Sequence, residues 1–565
     1  MIGSRAVLDV LRKHKVEFVF GLVGETSLPL YAELDEFQEI KLISVRDERN
    51  SVIMADGYAR TSYKPGVVEA PGVGASYLLP GLTEAYVSSI PLIVMYSDIP
   101  RYGEKRNYLT EYDKSLMFRT VSKEYISVPN GSEIPRLMRR AFRLATTGRT
   151  RPVVVRFPMD VYYEEVDEAE VYSQEEFSSF PSIRFTPEIN DVRKAVKMLI
   201  QSERPVIICG QGVLLSRAWD EVFSLSQRLS IPVGTTITGK GAYPEENELS
   251  IGVVGSRGGS DFSNSIVNKA DLIFIIGSNT DSANTSEWKV PKVDEGKRII
   301  QLDVSEEEIG NNYKTSLSLL GDAKATLSLI NSMIGEGETK RAWRDYVVSR
   351  RAEHLNKVKE ISELKVSKVN PVKVIKVLEG YLGEAIITAD PGTGAIYSAA
   401  YFMTRRVGRR FIYNYSIGAL GYALPAAIGA YFGTRGKIVV LTTDGNLPFV
   451  QGELETAKRV NADVKVLVFT NNSFGWIRGA MLSKYGRVMK GTEINEIDYS
   501  KLASAYKIKY ELIERDSEME DVIKRMLRDK EQYIIEVKVE AEDKLLPPVP
   551  EWKITSEKYG IRYMG

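Results

Sequence analysis

The segment Lys437-Ile-Val-Val-Leu-Thr-Thr-Asp-Gly-Asn446 is a short β-branched run that empties directly into a polar turn. An uninterrupted apolar run of this length is the pattern of a parallel strand covered on both faces. Gly445 supplies the sharp bend that follows, so Asp444 is placed at a strand's carboxyl end. Helical spacing continues from Gly452 to Val460, and a second run, Val464-Lys-Val-Leu-Val-Phe469, ends in Thr470-Asn-Asn-Ser473. Asp444 and Asn471 are therefore one strand-helix-strand unit apart. A right-handed crossover makes the two strands parallel, and both polar turns then open on the sheet edge where α/β proteins bind ligands. One carboxylate, one amide oxygen and one backbone carbonyl are hard donors of the kind that magnesium or calcium takes when phosphate oxygens complete the shell. Either turn alone is ordinary loop punctuation; the pair at one edge is what carries the chemistry.

The same rhythm of short apolar runs and helical patterns recurs along all 565 residues, a length that at about 150 residues per domain suggests three or four domains. Three are expected. The first has strands at Val16–Phe20, Lys41–Val45, Gly66–Val68, Pro91–Met95 and Pro152–Arg156; the second at Pro205–Gly210, Asp271–Gly277 and Arg298–Asp303; the third at Glu384–Thr388, Lys437–Leu441, Val464–Phe469 and Tyr533–Val537. The fold class is thus α/β, three doubly wound parallel-sheet domains over residues 1–165, 185–335 and 365–540, with a C-terminal tail at 541–565. An acidic, serine-rich stretch from Glu164 to Ser182 reads as a linker, and Lys340 to Lys368 as a charged helix. The proline-broken Leu545–Trp552 segment reads as a strap or lid rather than a core element.

Composition narrows the function classes. Lys plus Arg (75) equals Asp plus Glu (75), so no overall field favours nucleic acid or an anionic membrane, and the expected partners are small molecules and other subunits. No apolar run approaches the roughly 20 residues needed to cross a bilayer, and Met1–Lys15 is amphipathic without a signal-peptide pattern, so the expected location is the cytoplasm. The one cysteine, Cys209, lies in the apolar run Pro205–Cys209 and reads as a buried structural thiol. There are only two histidines, His14 and His354, both in charged stretches that read as solvent-facing. Mechanisms built on a Ser-His pair or a zinc-histidine site are disfavoured accordingly.

The Asp-Gly turn followed by an Asn-Asn pair resembles the cofactor signature of the thiamin-diphosphate enzymes, specifically the acetolactate synthase, pyruvate oxidase and 2-hydroxyacyl-CoA lyase group, and most of all the acetolactate synthase large subunits. Two departures are visible: Thr443 stands where the family has a first glycine, and Asn446, whose amide is expected to donate to the diphosphate, stands where a small or hydroxyl residue is common. The family's metal-binding asparagine precedes a glycine by four residues, which implies Asn471 as ligand, Ser473 as carbonyl donor and Asn472 outside the shell, counting back from Gly475. The resemblance thus implies magnesium held by Asp444, Asn471 and Ser473, and cofactor contacts from Gly445, Asn446, Asn471, Ser473, Phe474 and Gly475. Asn414 to Gly429 resembles the segment that bends the cofactor into a V, with Leu420 as the supporting apolar residue and Gly418 beside it. Asp390-Pro-Gly-Thr-Gly394 opens a helix after a strand, and its Gly392 and Thr393 are expected at phosphate.

Arg46-Asp-Glu-Arg-Asn-Ser-Val-Ile-Met-Ala-Asp-Gly-Tyr-Ala-Arg60 resembles the family segment bearing the glutamate that activates the pyrimidine ring, which places that catalytic role on Glu48. By helix position alone Glu48 is equally an N-terminal dipole-stabilising acid. Phe18–Gly24 and Pro71–Ala75 resemble the turns beneath the substrate and beside the pyrimidine, contributing Val23, Gly24 and Gly72. Asp47 replaces the family's histidine and Thr110 its glutamine, so the substrate pocket is expected to involve Val23, Asp47, Thr110, Trp476 and Ile477, with the Pro547–Trp552 tail. In the middle domain, Gly255–Ser260 and Gly277–Asp281 occupy turns where relatives bind FAD or ADP, but Asn279 and Ala283 stand where flavin-binding members carry arginines. Asp303 reads either as a ribose ligand or as a turn residue.

The function implied is decarboxylation of a 2-oxo acid such as pyruvate and ligation to a second carbonyl, by a homodimer or homotetramer that binds neither nucleic acid nor membrane. The alternatives within the class are 2-hydroxyacyl-CoA lyase, with an acyl-CoA substrate, pyruvate oxidase or another 2-oxo acid decarboxylase. The alternative outside it is a non-catalytic regulatory paralogue.

Overall fold

The computed structural model describes residues 1–292, 296–335 and 340–565. Three six-stranded parallel sheets are present, as the alternating pattern predicts. The first contains β1 (Phe18–Gly21), β2 (Lys41–Ser44), β3 (Gly66–Pro71), β4 (Leu92–Asp98), β5 (Glu124–Ser127) and β6 (Val153–Pro158), in the order β2-β1-β3-β4-β6-β5. The second contains β7 (Pro205–Cys209), β8 (Val233–Thr235), β9 (Ser250–Val253), β10 (Leu272–Ile276), β11 (Arg298–Asp303) and β12 (Leu317–Leu320), in the order β12-β11-β10-β7-β8-β9. The third contains β13 (Ile386–Ala389), β14 (Phe411–Tyr413), β15 (Ile438–Thr443), β16 (Val464–Thr470), β17 (Lys509–Ile513) and β18 (Tyr533–Lys538), in the order β14-β13-β15-β16-β18-β17. Strand order reverses between β1 and β3, between β7 and β10, and between β13 and β15. Those switch points are where an open α/β sheet leaves a crevice at its carboxyl edge.

The chain forms two compact units: Met1–Ile183 with Ser416–Ile438 and Val450–Val464, and Arg184–Tyr415 with Val439–Phe449 and Lys465–Gly565. In the first, Val19, Val67, Ile93, Met95, Val153 and Val155 meet the Ile134–Thr146 helix, whose Leu137, Met138, Ala141, Phe142 and Ala145 recur every three to four residues. The Glu48–Ser62 helix crosses the Ala423–Thr434 helix at two glycines. A Cβ on Gly57 would lie 2.2 Å from the Ala426 carbonyl oxygen, and one on Gly429 1.8 Å from that of Met54, so both positions require a bare backbone. The same helix pair buries an Arg60–Asp56 ion pair at 2.6 Å, to which the Tyr422 hydroxyl also donates. In the second unit, the third sheet packs Val439, Leu441, Leu467, Phe469 and Ile535 against the Pro371–Tyr381 helix. Among the described residues no helix is long and apolar enough to cross a membrane.

Several expectations are corrected here. β5, β9, β12, β14 and β17 lie at sheet edges and pair on one side only; none was expected, nor was the three-residue β8. The Glu164–Ser182 stretch is not a free linker, since Val166, Val171 and Phe177 join the first unit's core. The Leu545–Trp552 segment is not merely a strap, because Leu546, Val549 and Trp552 form a small core with Ile396. His14 is buried rather than solvent-facing: it stacks on Phe142 at 4.0 Å and its Nδ1 lies 2.9 Å from the Val10 carbonyl. His354 is half-buried against the Phe262 ring. Burial lowers the pKa of both, His354 to about 4. Cys209 is buried in β7 and its thiol is pushed well up, in keeping with a structural role.

Glu69, in the centre of β3, is fully buried and accepts a hydrogen bond from the Ser97 hydroxyl at 2.8 Å. Burial raises its carboxyl to about 7 from a usual 4.5. The folded state therefore keeps a proton that the unfolded chain releases above pH 4.5, so this group costs stability increasingly from pH 4.5 to 7 and by a constant amount above. Glu69→Gln should stabilise the first unit by up to about 3 kcal/mol at pH 8 and by little near pH 4.5, as read by denaturant unfolding. An equal effect at both pH values would contradict a protonated Glu69.

Candidate cofactor site

β15 and β16 are adjacent, and the aspartate that ends one grips the turn that ends the other. Asp444 Oδ2 accepts from the backbone N–H of Asn471 at 2.8 Å and of Asn472 at 2.6 Å. Asp444 is buried (4% exposed), and its second oxygen, Oδ1, has no hydrogen-bond partner among the described residues. Burial raises this carboxyl to about 6 against the lowering effect of the two N–H groups. An inward-facing, unpartnered carboxylate oxygen is what a cation ligand looks like before the cation is present. Asn471 completes the donor set: its Oδ1 accepts from the Ser473 hydroxyl at 2.7 Å, while its Nδ2 donates to the Glu540 carbonyl and to the Glu542 carboxylate. Asn472 is exposed with a left-handed φ of 57°. Its side chain is outside the cluster and its backbone inside it.

The turn after β13 closes the other wall. Thr442, on β15, donates to Asp390 at 2.6 Å and ties the two strand ends together. Gly392 has φ 130°, a conformation that a side chain would strain, and hands over to the Thr393–Tyr401 helix. Asn446 departs from expectation. Its amide N–H groups are taken by the Pro391 carbonyl at 2.9 Å and the Thr443 hydroxyl at 2.8 Å, so it fastens this turn to the Asp444 turn and has no donor left for phosphate. Gly445 admits the Phe474 ring, which a Cβ would meet at 3.0 Å. Gly475 opens the Gly475–Tyr485 helix. Trp476 stacks near Trp552, ring centres 4.7 Å apart, with the Arg257 guanidinium 4.4 Å above its ring, whereas Ile477 is exposed. The Gly255–Ser260 turn thus supplies a cation to the tryptophan pair. The pattern did not single out Asp390, Arg257 or Glu542, because each works through partners distant in sequence.

In the first unit Glu48 is the first residue of its helix and is buried. Asp47 caps that helix, accepting from Arg49 N–H at 2.8 Å, so its carboxylate has a structural task in addition to any at substrate. The turn is fixed from below by Glu453, fully buried, which accepts from Arg46 N–H at 2.9 Å, Asn50 Nδ2 at 2.8 Å and the Thr456 hydroxyl at 2.6 Å. A Cβ on Gly74 would lie 2.1 Å from Glu48 Oε1, so the glycine loop after β3 is pressed onto the carboxylate. Gly24 packs on Pro71, and Gly72 N–H donates to the Thr26 hydroxyl at 3.0 Å while facing Asp98. Val23 is exposed, and Thr110 has φ 69° in a loop that Lys114 holds through Asp98. Gly418, with φ 74°, and the half-buried Leu420 belong to this unit too.

At the middle sheet's switch point the turns after β7 and β10 touch: Gly212 N–H donates to the Gly277 carbonyl at 2.9 Å, and a Cβ on either glycine would strike the other residue. Gly210 and Gly212 were not expected in this role. Asp303 is engaged as a turn residue, accepting from Ser305 N–H at 2.9 Å.

Comparison with known proteins agrees with this geometry. Three family profiles cover successive parts of the chain: thiamine pyrophosphate enzyme, N-terminal TPP binding domain, over residues 1–117; the central domain of the same enzymes over 192–330; and their C-terminal TPP binding domain over 390–537. Full-length similarity extends to the probable acetolactate synthase large subunit of Methanocaldococcus jannaschii, 29% identical over 97% of this chain and 94% of that protein. It extends equally to the acetolactate synthase large subunit of Lactococcus lactis, 29% identical over 99% and 96%, and to the chloroplastic acetolactate synthase of Arabidopsis thaliana, 28% identical over 97% and 83%. The chain belongs to the thiamine pyrophosphate enzymes.

Gly74→Ala tests whether the glycine loop sets the Glu48 carboxylate. The added methyl displaces that oxygen, and a shift of this size should lower turnover about 10²-fold while thiamin diphosphate still binds. Unchanged turnover would separate the loop from the chemistry.

Proposed function

We propose that the chain is an acetolactate-synthase-like carboligase: it decarboxylates a 2-oxo acid of the pyruvate type and joins the retained fragment to a second carbonyl compound. The observation that carries the reading is the Asp444 clamp, in which one oxygen is spent on the Asn471 and Asn472 N–H groups and the other is buried without a partner. Asp444 Oδ1, Asn471 Oδ1 and the Ser473 carbonyl would hold Mg2+, and the N-terminal turns at Thr393 and Gly475 would receive a diphosphate. Thiamin diphosphate, when bound, supplies the nucleophilic carbon and the electron sink that decarboxylation requires. Glu48 holds or releases a proton toward the pyrimidine ring, and its burial beneath Gly74 keeps water from competing for that carboxylate. Leu420, with Gly418, is the apolar support; Trp476 and Trp552, with Arg257 above, form a wall of the substrate pocket.

The resemblance distinguishes this reading from its rivals. No histidine occurs in any segment matched to the family's site, which disfavours decarboxylases that protonate their product with a histidine pair. Intact Glu48, Asp444 and Asn471 speak against a non-catalytic paralogue. The domain spans of 1–165, 185–335 and 365–540 with a tail are proposed with it, as are a cytoplasmic location and an assembly of two or four copies. Val23, Leu28, Val73, Tyr77, Leu109 and Leu116 are exposed on the first unit and give that assembly an apolar surface. For the middle sheet, the β12-to-β9 order is that of dinucleotide-binding folds, which supports an adenine nucleotide there; Asn279 and Ala283 in place of arginines favour ADP over FAD.

With pyruvate, Mg2+ and thiamin diphosphate the protein should form a product that yields acetoin on acidification. Absence of acetoin would remove acetolactate synthesis and leave the lyase and oxidase readings. Glu48→Gln should retain cofactor binding and lose turnover by about 10²- to 10⁴-fold; turnover equal to wild type would take Glu48 out of the mechanism. Sedimentation should show a dimer or tetramer, and an active monomer would contradict the proposed assembly.

A further inference from the structure

Glu542 lies beyond β18 in the acidic run Glu540-Ala-Glu-Asp543, and its carboxylate points inward, only 3% exposed. Among the described residues no lysine or arginine pairs with it. It meets donors instead. Asn471 Nδ2 reaches its two oxygens at 3.3 and 3.2 Å, and the Thr393 hydroxyl hydrogen-bonds to it. The carboxylate also lies on the first turn of the Gly475–Tyr485 helix, so closely that a Cβ on Gly475 would be 2.0 to 2.1 Å from its atoms. Thr393 is itself the first residue of a helix. The first residues of two helices and an amide thus lie around one anion, and helix N-termini are where proteins bind phosphate. The adjoining Asp444 oxygen is buried and has no hydrogen-bond partner among the described residues, so the same pocket also offers a ligand for a cation. A buried carboxylate beside a second carboxylate, neither paired with a lysine or arginine among the described residues, is a costly arrangement that an anion bound together with a cation would relieve.

We propose that Glu542 is a built-in competitor for the cofactor: its carboxylate lies in the anion cradle formed by Thr393, Asn471 and Gly475, and it must swing out for a diphosphate to enter. The inference rests on the assignment of that cradle to the diphosphate. Its consequence is a coupling between cofactor and tail. Glu542 is tethered four residues before Leu546, which packs with Val549, Trp552 and Ile396, so its withdrawal strains or shifts the segment that places Trp552 against Trp476. The cofactor's apparent affinity is lowered by the fraction of chains in which the cradle is occupied.

The test uses the full-length apoprotein and calorimetric titration, with thiamin diphosphate plus Mg2+ and, separately, inorganic pyrophosphate plus Mg2+. Glu542→Gln and Glu542→Ala should each bind both probes about tenfold more tightly than the wild type, which corresponds to a cradle about 90% occupied. Tryptophan fluorescence should change on binding in the wild type as the Trp476–Trp552 pair is disturbed, and less in Glu542→Ala. Asp444→Asn should weaken binding of both probes in either background. Unchanged or weaker binding by both Glu542 variants, with Asp444→Asn still impaired, would overturn the competitor and leave the cofactor site standing. Wild-type affinity in Asp444→Asn would overturn the site assignment and the competitor with it.

Discussion

The geometry of the second unit's strand ends depends on a single carboxylate oxygen. Asp444 Oδ2 takes two backbone N–H groups from the turn after β16, and in doing so locks two neighbouring strand ends at a fixed offset. Hydrogen bonds to a charged acceptor are each worth about 1.5–3 kcal/mol, enough to offset a substantial part of the cost of burying the charge but not to neutralise it. The remaining oxygen stays unpartnered in a closed environment, and this explains why the carboxyl is raised despite two donors. A divalent cation reverses that balance because its own charge outweighs every other local contribution. The turn can present both N–H groups only if Asn472 adopts the left-handed conformation, which asparagine tolerates better than most residues.

Strand order explains why functional turns fall where they do. The first and third sheets share one winding and the middle sheet another, yet in each the chain passes glycine at the point where the order reverses: Gly72 after β3, Gly210 and Gly277 after β7 and β10, Gly392 and Gly445 after β13 and β15. At the first and third switch points the glycines lie beside a side chain from elsewhere in the unit, Asp98 or Phe474 and Asn446. At the middle one they lie against each other, so the crevice there is narrow at its base. The contrast is a matter of which neighbours the absent side chains make room for.

How much was legible beforehand follows the range of the interactions. The central strands were visible because burial on both faces leaves continuous apolar runs. Edge strands such as Glu124–Ser127 and Lys509–Ile513 pair on one side only, and their mixed composition reads as loop. Asp444, Asn471 and Glu48 could be singled out because each sits within a contiguous segment whose spacing or resemblance is local. The bond from the Asn446 amide to Pro391 leaves no mark in the pattern because the two are 55 residues apart. His14 was misread because its charged neighbours occupy the helix's solvent face while its ring turns onto Phe142. Glu453 and Glu542 carry no local mark at all; their roles exist only once distant strands are side by side.

The tail illustrates the last point and shows why its acidic run is not surplus charge. Ala541 to Leu545 is a tight turn, in which the Lys544 and Leu545 N–H groups both donate to the Ala541 carbonyl, at 2.9 and 3.1 Å. Glu542 turns inward to Asn471 and to the start of the Gly475–Tyr485 helix, while Asp543 pairs with Arg478 on that same helix, at 3.1 Å. One helix is therefore held at its first residue and one turn further on by adjacent acids of the tail. Arg478 can neutralise Asp543, whereas nothing cationic answers Glu542 among the described residues. The two acids differ in environment rather than in type, and only the inward one competes with an anion for the helix terminus. A segment fastened at Asp543 and at the Leu546–Trp552 core can release Glu542 by rotating its side chain and local backbone, without undocking as a whole. On the proposed assignment of that cradle, the tail is a part of the cofactor site and not a cover laid over it.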